Sequence, residues 1–138
     1  MTGTKAFQQS WRYHTLSCDG SPILCLTRNG ERYTDLPAFL AEIAEMKLRL
    51  MAFRRPEHAL LIDSRLSPLP HDVEMHERML RGHFTALVRG WKAVAIITRT
   101  AAGKLQSIRM QRENAMEPHT FDNDAAALAF LRDRLARP

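Results

Sequence analysis

Ala59-Leu60-Leu61-Ile62 and Ala93-Val94-Ala95-Ile96-Ile97 are apolar runs without a polar residue at alternate positions. Each is too short to make a helix. The missing alternation marks strands buried on both faces, as in parallel sheets. Between the two runs lie a proline-containing loop and an amphipathic stretch, so the segment from His58 to Thr100 reads as strand, helix, strand. Crossovers of this kind are right-handed almost without exception. The two runs are therefore expected side by side in one sheet, pointing the same way.

The rest of the chain fills in around this unit. Residues 1–10 carry no periodic pattern and are expected to be a frayed lead-in. Trp11–Cys18 and Pro22–Arg28 flank Asp19-Gly20, a pair suited to a type I′ turn, which predicts a hairpin with a two-residue loop. That register sets Cys18 against Ser21 and Cys25 against His14, so the cysteines do not face each other. Asn29-Gly30 predicts a second turn and a short third strand around Arg32 and Tyr33. Thr34-Asp35-Leu36-Pro37 then supplies a cap and a first-turn proline for a helix over 36–53. Leu36, Phe39, Leu40, Ile43, Lys47 and Leu50 fall on its inner stripe, and Arg54-Arg55-Pro56 ends it.

Strand 59–64 leads through the loop 66–70 to a helix from Asp72 to Val88, with Val73, Leu80, Phe84 and Leu87 inward and Gly90 as its stop. After strand 92–98, Thr100 caps a third helix with Leu105, Ile108 and Arg112 turned inward. His119–Phe121 predicts a short strand. Asp122-Asn123-Asp124 starts a last helix carrying Leu128, Leu131 and Leu135. The expected class is α/β, a mixed sheet with an N-terminal antiparallel hairpin or meander and parallel βαβ crossovers, in a single domain over 1–138.

A chain of 138 residues buries roughly 68–70% of its unfolded surface, enough for a core without a metal or disulfide staple. Hydrophobic and charged contents of 45% and 25% exclude disorder and fibrous arrays. No stretch approaches the ~18 apolar residues of a membrane span, and the start MTGTKAFQQS lacks the apolar core of a secretory signal. A cytoplasmic location with both cysteines reduced is the expectation. The net charge of +5 raises the question of nucleic acid. Its basic residues are interleaved with acids, as in Glu74 with Arg78 and Glu77 with Arg81, which are i,i+4 pairs of a solvated face. Nucleic acid is not an expected partner.

Leu60-Leu61-Ile62-Asp63-Ser64 followed by Ala93–Ile97, the segment Thr98–Gly103 that opens the third helix, and Thr120-Phe121-Asp122 ahead of Ala125–Leu131 together resemble the STAS domain family. The resemblance covers roughly residues 11–135. It is nearest to a divergent SpoIIAA-like (anti-sigma-factor antagonist-like) group related to the CRAL-TRIO lipid-transfer domains. It implies a STAS/SpoIIAA-like fold and a regulatory binding role. In the antagonists of that family a serine after the central strand, in an Asp-Ser-Ser-Gly-like element, is phosphorylated. Here the matching segment, Leu66-Ser67-Pro68-Leu69-Pro70-His71-Asp72-Val73, has one serine and no glycine, so the phosphoserine motif is not intact.

Open α/β sheets bind ligands beyond the carboxyl ends of their parallel strands. That edge would carry Asp63, Arg65, Ser67, His71, Asp72, Arg99, Thr100 and Lys104, together with Ser64 and Thr98, as a possible partner or anion site. The start of the third helix offers free N–H groups there. Asp63 beside Arg65 also reads as a plain ion pair. Asp72 and His76 share a helix face at i,i+4, near His71, Glu77 and His83, but a catalytic zinc needs three protein ligands, so no metal is expected. Cys18 and Cys25 have no base within reach, and Thr100-Ala101-Ala102-Gly103-Lys104 lacks the first glycine of a phosphate loop. Neither an enzyme nor a cofactor is expected.

Met46, Met51, Met75, Met79, Met110 and Met116 lie on or near helices and either fill the core or line an apolar groove between the first two helices. The leading expectation is a non-enzymatic cytoplasmic regulatory module making protein–protein contacts through loop 66–73 and the second helix, its protein partner unknown. The alternative is a small-ligand or lipid-binding domain. Trp11 and Tyr13 on an early edge strand would further allow a homodimer.

Overall fold

In a computed structural model of the protein, residues 5–32, 35–68 and 82–138 are described. Six strands form one sheet in sequential order: β1 (Phe7–Ser10), β2 (His14–Cys18), β3 (Ile23–Arg28), β4 (Ala59–Asp63), β5 (Ala93–Ile97) and β6 (Thr120–Phe121). β1 to β3 run antiparallel, and β3 to β6 are parallel neighbours. The two apolar runs pair in register, Ala59 beside Ala93 and Ile62 beside Ile96. The helices are α1 (Leu36–Leu50), α2 (helical residues 82–88), α3 (Ala101–Glu113) and α4 (Asp124–Ala136).

Crossovers of one hand, stepping in one direction across a sheet, place their connecting helices on one face. The packing agrees. Leu16, Leu24, Leu26, Leu60, Ile62, Val94 and Ile96 meet Phe39, Ile43, Met46 and Leu50 of α1 and Leu87 and Val88 of α2. The other face, Ile23, Ala59, Leu61, Ala93, Ala95 and Ile97, is closed by Ala127 and Leu131 of α4. Successive residues of each apolar run thus feed opposite layers, which is why the runs lack a polar beat. The alanines on the α4 side let that helix lie close to the sheet.

The starts of α1, α3 and α4 each have a side-chain cap. Asp35 accepts from Ala38 N–H at 3.2 Å, Thr100 from Gly103 N–H at 3.0 Å and Asn123 from Ala126 N–H at 2.8 Å. α2 is followed by Gly90 at φ +91°, and the Trp91 Nε1–H donates to the Leu87 carbonyl at 2.6 Å.

Several expectations give way. Residues 7–10 are not frayed: they pair with β2, Phe7 beside Cys18 and Ser10 beside Thr15. Trp11 and Tyr13 precede β2, which is paired on both sides, so they do not lie on an edge strand. Tyr13 is fully buried, and the Trp11 indole N–H donates to Glu45 at 2.7 Å. The β2–β3 loop is four residues, not two. Cys25 faces Ser17, and Ser21 N–H is taken by the Asp19 carboxylate at 2.9 Å. Pro22 has no N–H to offer a tighter ladder. Arg32 is not in a strand; Tyr33 and Thr34 lie outside the described residues. α1 ends at Leu50, and Pro56 sits in a short 3₁₀ turn, Arg55–Glu57.

On α3, Leu105 is 69% exposed and Arg112 is exposed, while Ser107 and Gln111 are the buried positions. The Gln111 amide donates to the Ser107 carbonyl and hydroxyl and to Thr120 Oγ1, and its oxygen accepts from His119 N–H. α3 therefore meets β6 through a satisfied polar network rather than a hydrophobic stripe. Of the methionines, Met46 is fully buried and Met51 exposed, whereas Met75 and Met79 lie outside the described residues. So do Val73, Leu80, Glu74, Arg78, Glu77 and Arg81.

Candidate functional site

The strand register lays out the site in rows. Leu16, Leu26, Ile62 and Ile96 are consecutive neighbours across β2 to β5, on the face that carries α1 and α2. Two residues along, toward the carboxyl ends of the parallel strands, His14 pairs with Arg28. Continuing the register by one residue sets Ser64 beside Arg28 and Thr98 beside Ser64. An apolar floor is thus bordered by a polar row, His14, Arg28, Ser64 and Thr98, all on the same face because their numbers share the strand's period of two.

A cavity of about 470 Å³ stands on this floor. Leu26, Ile62 and Ile96 form its base, Phe39, Ile43 and Met46 of α1 one wall, His83, Phe84 and Leu87 of α2 another, and Gly103, Gln106, Ser107 and Met110 of α3 the far side. Leu66, Ser67 and Pro68 lie at its mouth with Arg65, Arg99 and Thr100. Four arginines, Arg28, Arg32, Arg65 and Arg99, are among its lining residues, and among the described lining residues there is no carboxylate.

The buried Arg28 guanidinium donates to the Asn29 carbonyl at 2.6 Å, the Asn29 amide oxygen at 3.0 Å and the Glu31 carbonyl at 2.7 Å, and it lies over the Tyr13 ring at 5.3 Å. Arg65 is held from behind the sheet, donating to both Asp63 oxygens at 3.0 and 2.7 Å and to Asp124 at 2.8 Å. Burial alone would push the Asp63 carboxyl up, but hydrogen bonds from the Arg65 side chain and backbone outweigh it and hold it below its ordinary value. On the outer wall, Lys47 Nζ donates to His83 Nδ1 at 2.6 Å, and burial followed by the Lys47 charge lowers the His83 pKa.

A buried polar pair sits beside the cavity. Glu42, 6% exposed, accepts the Tyr13 N–H on both oxygens at 3.1 and 3.0 Å and bonds His14 Nδ1 at 2.6 Å. Burial, reinforced by the Arg28 charge and opposed by Glu42, keeps the His14 pKa below its ordinary value.

Of the residues named from sequence, Arg65, Ser67, Arg99 and Thr100 are brought together at the cavity mouth. Asp63 is not a lining residue but anchors Arg65, and Lys104 is exposed and apart from the lining. His71, Asp72 and His76 lie outside the described residues. Sequence reasoning missed His14, Arg28 and Glu42. One signal was present: Glu42 sits inside the stripe Phe39, Ile43, Met46, where a carboxylate must find buried partners. Among the described residues no group of three or more His, Cys, Asp or Glu is arranged to hold a metal.

No protein-family model, curated protein or solved structure matches this chain. Among the described residues no helix is long and apolar enough to cross a membrane.

Proposed function

We propose that this chain is a non-enzymatic binding module whose ligand is a small amphiphilic anion, held between α1, α2 and the sheet. The observation that carries the reading is the cavity of about 470 Å³, with its apolar base and guanidinium-rich mouth. That size falls within the ~300–1,000 Å³ typical of small-molecule sites. The STAS resemblance supports it through the kinship of that group with lipid-transfer domains. A cytoplasmic, STAS/SpoIIAA-like domain without an intact phosphoserine motif is part of the same proposal.

The test is a titration with 1-anilinonaphthalene-8-sulfonate, an anionic apolar fluorophore, alongside native mass spectrometry of freshly purified protein. Saturable binding by the wild type, lost in Ile62→Trp while the thermal transition stays cooperative, is the expected result. A retained mass of a few hundred daltons would add the natural ligand's size. Unchanged binding in both Ile62→Trp and Ile43→Trp would refute the cavity as the site.

A second reading, regulatory protein–protein contact, is favoured by Leu66, which is 55% exposed at the cavity mouth. Capture of a stoichiometric partner from native lysate, lost in Leu66→Asp, supports it. Capture that Leu66→Asp leaves unchanged rules out this face.

A further inference from the structure

The imidazole of His14 lines the cavity, whereas Glu42, which holds its Nδ1 at 2.6 Å, does not. The opposite ring nitrogen, Nε2, is the one Glu42 does not hold, and among the described residues it makes no hydrogen bond. As a carboxylate, accepting the Tyr13 N–H on both oxygens, Glu42 meets His14 only as an acceptor. That requires the proton on Nδ1. The neutral ring then presents a bare lone pair at Nε2.

We propose that His14, fixed in this tautomer by Glu42, is the hydrogen-bond acceptor of the cavity and selects ligands that carry a hydroxyl group beside their acidic head. The inference rests on the amphiphilic-anion reading above. Burial favours the neutral ring, and the neighbouring Arg28 opposes its protonation in the same direction. The register supplies the adjacency. Arg28 is the Cα partner of His14 across β2–β3, so a donor meeting Nε2 lies next to the cationic part of the polar row. Thr98 extends the row. It is 6% exposed, lines the cavity, and among the described residues its hydroxyl has no hydrogen bond. An acid on the Arg28, Ser64 and Thr98 side and an alcohol on the His14 side define a 2-hydroxy acid with an apolar tail.

The experiment compares decanoate, both enantiomers of 2-hydroxydecanoate, and 2-methoxydecanoate as displacers of 1-anilinonaphthalene-8-sulfonate from the intact chain. One uncharged hydrogen bond to a buried acceptor makes the better 2-hydroxydecanoate enantiomer about three- to tenfold tighter than decanoate. 2-Methoxydecanoate, which keeps the oxygen but has no proton to give, is expected to bind no better than decanoate. In His14→Phe the hydroxyl preference disappears, 2-hydroxydecanoate and decanoate displacing the probe with the same apparent affinity. The ¹⁵N shifts of the His14 ring at neutral pH report the tautomer directly and need no variant: protonated Nδ1 is expected, and protonated Nε2 overturns the proposal. Equal binding of decanoate and 2-hydroxydecanoate overturns it too, and leaves the amphiphilic-anion reading standing. Failure of every probe to bind overturns both.

Discussion

Replacing Glu42 by alanine should be among the most damaging single changes to this fold. The side chain accepts one N–H from Tyr13, a residue with no exposed surface, and one from His14. Alanine orphans the Tyr13 N–H, at a cost of about 1–3 kcal/mol for a buried donor without a partner. It also deletes a hydrogen bond between an imidazole and a carboxylate, worth about 1.5–3 kcal/mol. Together the loss is about 3–5 kcal/mol, the range seen when one partner of a buried pair is removed. For a chain of this size each kcal/mol lowers the melting temperature by about 4 °C, so Glu42→Ala should melt about 12–20 °C below wild type. Glu42→Gln keeps one acceptor oxygen and should lose about 1–2 kcal/mol. Urea titrations followed by far-UV circular dichroism, with thermal scans beside them, provide the measurement. A loss under about 1 kcal/mol for alanine, or glutamine faring worse than alanine, would refute the reasoning that Glu42 is the obligatory acceptor of both groups.

Two further outcomes follow from the titratable groups. Burial pushes the Cys25 thiol up to about 11, so its iodoacetamide labelling in the native state at pH 8 should be about a hundredfold slower than that of the urea-unfolded chain. Equal rates would contradict its burial. Asp63 lies below its ordinary carboxylate value in the folded state, so its contribution is present above the unfolded pKa and is lost as pH falls through the folded one. Stability of the wild type should therefore fall more steeply on acidification than that of Asp63→Asn, and parallel pH profiles from chemical denaturation would show that the Arg65 contacts do not act as the distances suggest.

The parallel half of the sheet was legible because an uninterrupted apolar run has few alternatives to a strand covered on both sides. Ala59–Asp63 and Ala93–Ile97 needed no context. β1 was invisible for the opposite reason: Phe7-Gln8-Gln9-Ser10 turns only Phe7 toward the core, too little to make an alternating pattern, and is a strand because β2 offers it a ladder. α3 misled because its leucine and isoleucine suggested an apolar seam, whereas the neighbouring β6 presents Thr120 and the His119 N–H, which demand hydrogen bonds. Four residues of the cavity mouth, Arg65, Ser67, Arg99 and Thr100, are legible from the ends of the parallel strands and the segments that follow them. The His14–Glu42 pair is not, since its members are 28 residues apart and meet only through the packing of α1 on β2.

Arg65 ties together two sides of the protein that share no other such link among the described ion pairs. Its guanidinium grips Asp63 and, at 2.8 Å, the first residue of α4, while the residue itself borders the opening on the opposite side of the sheet. A guest whose acid drew that guanidinium inward would have to take it from both carboxylates. Occupancy in front would then loosen the last helix behind, and hydrogen exchange at the start of α4 would register a molecule that never touches it.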